Sequence, residues 1–275
     1  MKSSEKINKI NVEEIKKIPH TVGVYVFRGK TSFPLYIGKS LDLRSRVMSH
    51  IRNPNETKMI NQSDKIEFIE TAGEIGALLL EAQMIKELNP LFNMRLRRSK
   101  KIYSIRVKKT IYGVEPEIID SQSVNLGITP NLYGLFTSKY AANRRLRTLA
   151  KKNTLCQTIL NLEKPSRRGC FGLQINSCLG ACIGNENRET HDSRFLKALS
   201  NSEVKMWPFS GAIDLVEKLG EWTQRHRIAN WAYLGTWCSK TKRNKKFIFK
   251  SFDLDSYKIL VKPILLKTVR VEVIK

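Results

Sequence analysis

Two tyrosine-centred triplets lie close together near the start of the sequence. Gly-Val-Tyr occupies residues 23–25, Tyr-Ile-Gly occupies residues 36–38, and the cations Lys39, Arg44 and Arg46 follow. Two tyrosines on neighbouring strands can simply be part of a hydrophobic core. Lysine and arginine beside them, however, are the side chains that bind phosphate. The segment therefore has two interpretations, a core element or a site that handles phosphate.

A single carboxylate favours the phosphate site. Glu81 lies in a helical stretch in which Leu78, Ile85 and Leu88 recur at helical spacing, so all four residues share one face. A carboxylate within an apolar stripe is costly unless it is paired or bound to a metal ion. An edge position, from which the side chain reaches solvent, is the alternative.

These residue types together suit the hydrolysis of a phosphodiester. One carboxylate and water molecules can hold a hard cation such as Mg²⁺ or Mn²⁺, and an arginine stabilises the charge of the transition state. A tyrosine of pKa about 10 can deprotonate the attacking water if a cation lowers that pKa, and Lys39 is the expected cation. Since only one carboxylate stands out, a one-metal mechanism is favoured, with Glu81 as the metal ligand. The candidate catalytic residues are Tyr25, Tyr36, Lys39, Arg46, His50, Glu81 and Asn93.

Regular patterns in the sequence predict the elements that position these residues. Alternation of apolar and polar residues predicts three strands, at residues 21–28, 35–38 and 65–71. Helical spacing predicts one helix that begins at an N-cap, Ser40, and a second over residues 73–88. The second helix ends at Asn89, because the following proline disfavours helical backbone before it.

The charge of the chain indicates a polyanionic partner. The 275 residues include 49 Lys and Arg against 25 Asp and Glu, which leaves a net charge of +24. Such a surplus favours nucleic acid, with a membrane surface as the weaker alternative because no basic amphipathic helix stands out. No apolar run is long enough to cross a membrane, and the first 20 residues lack the apolar core of a signal peptide. We therefore expect a cytoplasmic protein without a membrane partner.

A basic stretch follows the predicted nuclease-like segment. Residues 93–109 contain eight cations and Tyr103 but no Asp or Glu. Basic residues interleaved with an aromatic ring suit contact with a nucleic-acid backbone and stacking on a base, whereas a solvated linker is the alternative. The candidate DNA contacts are Arg44, Arg95, Arg97, Arg98, Lys100 and Lys101.

Four of the five cysteines form a second candidate site. Cys156, Cys170, Cys178 and Cys182 are separated by 13, 7 and 3 residues, whereas Cys238 lies far away. Four thiols in one window suggest a metal or an iron–sulfur centre, but no CxxC pair indicates a zinc finger. Buried thiols without a metal are the alternative.

The first part of the chain resembles the GIY-YIG nucleases. The two triplets, Lys39, Arg46, Glu81 and Asn93 match the signature of that family in order and spacing, and the sequence EIGALLLEAQMIKELNPLFN resembles the N-terminal domain of UvrC. The resemblance implies tyrosines near the scissile phosphate, Arg46 as the phosphate stabiliser and Glu81 as the metal ligand. We favour Tyr36 as the base. Where UvrC proteins often have a further tyrosine, this chain has His50.

The cysteine segment and the layout of the chain extend the resemblance to UvrC. The sequence CFGLQINSCLGACIG resembles the cysteine-rich region of UvrC, which implies a [4Fe–4S] cluster, with Zn²⁺ or no metal as alternatives. The chain resembles a short UvrC homologue, because it ends before a second nuclease domain. The resemblance implies incision 3′ of a lesion in damaged double-stranded DNA, bound by UvrB after loading by UvrA, as a backup in the SOS response.

The predicted fold class is α+β. A small antiparallel three-stranded sheet flanked by helices forms a nuclease domain at residues 19–95, and a basic DNA-contacting connector follows at 96–152. A cysteine-rich region is predicted at 153–185. Residues 186–275 form a smaller C-terminal α/β part with no assigned role, in which residues 214–225 are expected to be helical.

Two other functions compete with that of a repair endonuclease. A branched-DNA endonuclease can join the same nuclease domain to a RING-like zinc module, but that module needs eight ligands and the chain has five cysteines. A catalytically inactive DNA-binding module is the second alternative. The complete set of Tyr25, Tyr36, Arg46 and Glu81 argues against it, since an inactive site should have lost at least one member.

Overall fold

The computed structural model describes residues 15–93, 101–246 and 252–274, and of residues 244–246 only the backbone. The chain divides into two compact units, one of which is Lys100–Pro208. The other joins the preceding residues to Phe209–Lys275, so the predicted 186–275 segment is shared between the units. Within the described ranges, no helix combines the length and apolar composition needed to span a lipid bilayer.

The nuclease-like segment folds as the sequence predicts, into a three-stranded antiparallel sheet in the order β2-β1-β3. The strands are β1, Gly23–Arg28; β2, Pro34–Ser40; and β3, Lys65–Glu70. β1 pairs on both sides and its central residues are buried, which explains its unbroken run of Val, Tyr and Phe. Tyr25 lies opposite Gly38 in this register, and Phe27 lies opposite Tyr36.

Helices flank this sheet. They are α1, Leu43–Arg52; α2, Thr57–Gln62; and α3, Glu74–Leu88, with a 3₁₀ turn at Pro54–Glu56 before α2. α1 begins later than predicted, because Asp42 rather than Ser40 caps it by accepting from the Ser45 amide at 2.9 Å. α3 ends as predicted, at Asn89 in the left-handed conformation before Pro90.

The unit Lys100–Pro208 is built on a second three-stranded antiparallel sheet, in the order β5-β4-β6. Its strands are β4, Tyr103–Thr110; β5, Gly113–Asp120; and β6, Leu132–Phe136. Its helices are α4, Lys139–Lys152; the short α5, Phe171–Gln174; and α6, Arg188–Leu199. Apolar residues from this sheet, α4 and α6 share one core that includes Ile105, Leu146 and Phe195.

The C-terminal part is a five-stranded antiparallel sheet in the order β10-β9-β8-β7-β11, with one helix. Its elements are β7, Ile213–Leu219; β8, Trp222–Ala229; β9, Ala232–Cys238; β10, Arg243–Lys246; α7, Leu254–Leu265; and β11, Arg270–Val273. The helix predicted at 214–225 is wrong, since the segment is a β-hairpin. Gly220, at φ +56, makes its tight turn, and burial alternates along β8 with period two.

Close packing explains the glycine of the second triplet. A Cβ on Gly38 would lie 2.2 Å from the Tyr25 hydroxyl oxygen and 3.0 Å from the Tyr36 ring, whereas the Gly38 backbone is not in the left-handed region. We therefore predict that Gly38→Ala lowers the free energy of unfolding by about 1–3 kcal/mol, because the Tyr25 ring must move. Urea unfolding measures the change. Gly211→Ala, where the nearest atom lies at 4.0 Å, is the control and should be near neutral; equal effects would contradict the packing argument.

Candidate active site

The two tyrosines lie side by side, but they differ in exposure. Their ring centroids are 6.2 Å apart, and Tyr25 is 1% exposed whereas Tyr36 is partly exposed. Burial raises the pKa of both tyrosines, and the charge of Glu81 raises each further. Of the two hydroxyl groups, that of Tyr36 is the one that a substrate can reach more easily.

His50 binds the buried tyrosine. The His50 Nε2 atom lies 2.6 Å from the Tyr25 hydroxyl, and Nδ1 forms a short hydrogen bond with the Glu56 carboxylate. Because a carboxylate only accepts, Nδ1 carries the proton and a neutral His50 accepts the Tyr25 hydroxyl proton at Nε2. Burial lowers the pKa of His50, although Glu56 opposes this effect.

Sequence reasoning missed Glu56. The signal was its isolation, since it is the one acidic residue between Asp42 and Asp64, a stretch that carries four Arg and Lys residues. Its place in the turn after α1 brings its carboxylate back to His50.

Arg46, rather than Lys39, is the cation beside the tyrosines. A hydrogen bond with Tyr25 is the main cause that raises the pKa of Arg46. Arg46 in turn lowers the pKa of both tyrosines and so opposes the rise that burial causes. The Lys39 ammonium instead pairs with Glu74. Arg46 thus has the effect on the tyrosine pKa values that was expected of Lys39, whereas the charge of Lys39 acts on Glu74 and Glu81.

Glu81 has the properties of a ligand for one hard cation. Its side chain is half-buried on α3, and Oε1 accepts the Lys39 amide at 3.0 Å. Burial raises the pKa of Glu81, which the Lys39 amide and the charges of Lys39 and Arg46 counteract. Among the described residues, no hydrogen-bond donor is assigned to Oε2. That oxygen, in a partly desolvated place beside Arg46 and the tyrosines, fits Mg²⁺ or Mn²⁺.

Two predicted site residues are bound to backbone instead. Asn93 accepts the Ile37 amide and donates to the Ile37 carbonyl, both at 2.8 Å, so its amide group holds β2 beside the tyrosines. Arg44 donates to the carbonyls of Lys16 and Ile18, the latter at 2.6 Å. Both side chains therefore support the site as structural anchors in this conformation.

The predicted DNA contacts after Asn93 are only partly described. Arg95, Arg97, Arg98 and Lys100 lie outside the described residues. Lys101 forms an ion pair with Asp120 at 3.0 Å and lies 5.6 Å from the centroid of the Tyr103 ring.

The four clustered cysteines meet in the unit Lys100–Pro208. The sulfur atoms of Cys156, Cys170 and Cys182 all lie within 4.8 Å of one another, and Cys178 packs in the same cluster. Burial raises the pKa of Cys178 to about 12 and that of Cys182 to about 11. Converging buried thiols are the donor set that soft metal centres use, so this cluster fits Zn²⁺ or an iron–sulfur centre.

Family models match the chain in three successive segments. Residues 21–94 match the UvrC-like GIY-YIG domain, and residues 102–201 match the middle domain of the UvrC/Cho excinucleases. Residues 212–275 match the excinuclease Cho C-terminal domain. Together with the three-stranded sheet and the grouping of Tyr25, Tyr36, Arg46 and Glu81, these matches define the class as a UvrC-like GIY-YIG endonuclease of DNA excision repair.

Curated relatives narrow the class further. Excinuclease Cho of Escherichia coli strain K12 is 43% identical over 254 residues, which are 91% of this chain and 85% of that protein. The same protein of Salmonella typhimurium strain LT2 is 42% identical with the same coverage. UvrABC system protein C of Clostridioides difficile is 30% identical over 78% of this chain and 36% of that protein. The chain belongs to the excinuclease Cho family.

A solved structure matches the nuclease domain alone. It is the GIY-YIG N-terminal endonuclease domain of UvrC from Thermotoga maritima, bound to its catalytic divalent cation, magnesium. The identity is 32%, the match covers 33% of this chain and 99% of that one, and the TM-score is 0.28.

The buried His50 gives a testable dependence of stability on pH. An unfolded-chain histidine takes up a proton near pH 6.5, whereas burial holds His50 neutral to lower pH in the folded protein. The unfolded state then binds more protons, so stability is full above about pH 6.5 and falls on acidification, by at most about 1.4 kcal/mol per pH unit for one proton.

We predict that His50→Gln loses less of its free energy of unfolding between pH 7.5 and pH 5.5 than the unchanged protein does. Urea unfolding at the two pH values measures the difference. Equal losses in both proteins would contradict a neutral, buried His50.

Proposed function

We propose that this chain cuts damaged double-stranded DNA on the 3′ side of a lesion, in complexes in which UvrA has loaded UvrB. The reaction takes place in the cytoplasm, as a backup within the SOS response. The similarity to UvrC and Cho supports this assignment. The observation that carries the chemistry is the electrostatic grouping of Tyr25, Tyr36, Arg46 and Glu81, in which each group shifts the pKa of at least one other.

Hydrolysis at this site needs one metal ion. Glu81 would hold Mg²⁺ or Mn²⁺ through its free carboxylate oxygen, and a metal bound there supplies positive charge to the scissile phosphate. Arg46 stabilises the negative charge that develops on the phosphoryl oxygens, because its guanidinium is exposed and lies next to the Tyr25 hydroxyl.

Tyr36 is the proposed general base. Tyr25 is unsuited to contact water, since it is 1% exposed and its hydroxyl proton is donated to His50. Tyr36 is partly exposed; burial and the charge of Glu81 raise its pKa, whereas Arg46 lowers it. A cation held by Glu81 would offset the Glu81 charge and so favour loss of the Tyr36 proton. His50 and Glu56 hold Tyr25, and Tyr25 in turn positions Arg46 and packs beside Tyr36.

Contact with DNA is proposed for basic surfaces beyond this site. The α4 helix presents Arg144, Arg145 and Lys151 to solvent, and in the described part of the chain none of these three forms an ion pair. Arg147 of the same helix is exposed but donates to the Leu162 carbonyl at 3.2 Å. Unpaired cations on one helix suit a row of backbone phosphates. The predicted contacts Arg95, Arg97, Arg98, Lys100 and Lys101 remain part of the proposal, whereas Arg44 donates to backbone carbonyls.

Incision of singly damaged DNA with UvrA, UvrB, ATP and Mg²⁺ tests the function. We expect the unchanged protein to cut 3′ of the lesion. Glu81→Ala should cut at least about 100-fold more slowly, because several kcal/mol of metal stabilisation of the transition state is lost. Tyr36→Phe should bind DNA normally but cut it more slowly. Glu87→Gln, which removes the charge of an exposed carboxylate on the same helix but keeps an acceptor for the Gln83 amide, is the matched control and should cut normally.

Three outcomes of this assay would contradict the proposal. Equal cutting by the unchanged protein and Glu81→Ala would rule out the metal-ligand role. Binding of the lesion without cutting would indicate an inactive DNA-binding module. Cutting of branched DNA without UvrB would indicate the branched-DNA endonuclease.

A [4Fe–4S] cluster is our proposal for the cysteine site, with zinc as the alternative. We predict that anaerobically purified protein contains about four iron and four sulfide per chain, and that Cys170→Ala loses them. Cys238→Ala is the control, because Cys238 lies on β9, outside the cluster, where its sulfur accepts a hydrogen bond from the Trp222 indole. Iron, sulfide and zinc analysis decides between the metals. A colourless, metal-free and fully active protein would rule out a required cofactor.

A further inference from the structure

The helix that carries Glu81 is capped by a distant part of the chain. The N-cap residue of α3 is Gly73, which has no side chain to accept the free amides of the first turn. Glu217 of β7 supplies the acceptors instead, with Oε1 3.0 Å from the Ile75 amide and Oε2 2.7 Å from the Gly76 amide. These are the second and third helical positions, the amides that an N-cap side chain normally binds.

The glycines at this end of α3 are explained by the approach of Glu217. A Cβ on Gly73 would lie 2.2 Å from Glu217 Oε1, although φ of −166° is extended backbone that any residue adopts. A Cβ on Gly76 would lie 2.7 Å from the His226 ring and 2.9 Å from Glu217 Oε2. Both positions therefore need glycine for space, and the space is taken up by the C-terminal sheet.

Glu217 is itself held in place. His226 Nε2 lies 3.1 Å from Glu217 Oε2, and His226 Nδ1 lies 2.6 Å from the Thr236 hydroxyl. The Glu217 and His226 side chains are 13% and 2% exposed. Burial alone would raise the pKa of Glu217, but the bonds from His226, Gly76 and Ile75 lower it, so the carboxylate is charged at neutral pH.

The C-terminal part also holds the other end of α3. Lys86 forms ion pairs with Asp253 and Asp255 at the start of α7, the second at 3.0 Å, although its side chain is only 9% exposed. Gly76 and Lys86 stand at equal distances in sequence on either side of Glu81. The helix is thus fixed to the same C-terminal region both before and after its metal-binding residue.

We propose that the C-terminal sheet and α7 act as a brace that sets the position of Glu81, and that Glu217 is a positioning residue for the metal site. A helix held at two points keeps its rotation and its distance from β2, where Glu81 accepts the Lys39 amide. Loss of the cap frays the first turn, which also carries Glu74, the partner of Lys39. The brace rests on the metal-ligand role proposed for Glu81, and the experiment separates the two.

Binding of Mn²⁺ to the full chain without DNA tests the brace. Electron paramagnetic resonance of free Mn²⁺ gives the dissociation constant, and hydrogen exchange by NMR reports on the Ile75 and Gly76 amides. We expect about tenfold weaker Mn²⁺ binding and at least tenfold faster exchange of both amides in Glu217→Ala. The matched control is Glu221→Ala, which removes an exposed carboxylate in the turn between β7 and β8 and should leave both values unchanged.

A cap within the helix itself distinguishes positioning from a general loss of packing. Gly73→Ser places a hydroxyl at the N-cap position, where it can accept first-turn amides once Glu217 is gone. In the Glu217→Ala background we expect Gly73→Ser to restore Mn²⁺ binding to within about threefold. In the unchanged background it should weaken binding, because its Cβ meets Glu217. Gly73→Ser should thus weaken Mn²⁺ binding in the unchanged protein but strengthen it in the Glu217→Ala variant. If residues 73 and 217 acted independently, Gly73→Ser would have the same effect in both.

If Glu217→Ala does not fold, Glu217→Gln is measured instead, because it keeps the side-chain volume and one acceptor oxygen. We expect it to bind Mn²⁺ about threefold more weakly than the unchanged protein. Unchanged Mn²⁺ affinity in the folded variant, or no recovery with Gly73→Ser while the amides regain protection, would overturn the brace. Unchanged affinity in Glu81→Ala would overturn the metal-ligand role and with it the brace, whereas faster exchange of the Ile75 and Gly76 amides in Glu217→Ala would still establish the cap.

Discussion

The buried hydroxyl of Tyr25 is the constraint around which the active site is organised. A hydroxyl group enclosed by protein must be hydrogen-bonded, because its desolvation is otherwise uncompensated. His50 meets this requirement, Glu56 sets the tautomer of His50, and the ring of Tyr25 leaves room only for glycine at residue 38. The second tyrosine, two residue pairs along the sheet, is then the more accessible of the two.

Charge is distributed around this tyrosine so that one carboxylate stays free. Glu56 is bound to His50, and Glu74 is bound to Lys39. Glu81 accepts a single backbone amide among the described residues and lies within the electrostatic reach of Arg46. One available carboxylate and one arginine are the groups that the proposed one-metal hydrolysis requires. The carboxylate would hold the cation, and the cation and the arginine would both supply positive charge at the phosphate.

Local pattern was enough to predict the nuclease sheet, because alternation and tight turns are set by neighbouring residues. It failed at residues 214–225, where helical spacing and strand alternation both fit a short apolar stretch and only the turn at Gly220 decides between them. Apolar periodicity placed Glu81 on one face of α3 with Leu78, Ile85 and Leu88, and the structure leaves the Glu81 side chain half-buried there. It could not show that Lys39 turns to Glu74, since that depends on the relative position of a strand and a helix far apart in sequence.

The sequence by itself determined which groups are available: two tyrosines on adjacent strands, one arginine, one stripe-breaking carboxylate and four cysteines in one window. Their residue types and spacing are local properties, so no fold was needed to recognise them. Only the tertiary structure decided how they are used. Contacts between separate elements decided which cation lies beside the tyrosines and that Glu56 is the partner of His50. They also decided that Glu217 caps α3, although it lies 142 residues from the Ile75 amide that it binds. Such contacts follow from packing and electrostatics across the fold, which no periodicity in the sequence encodes.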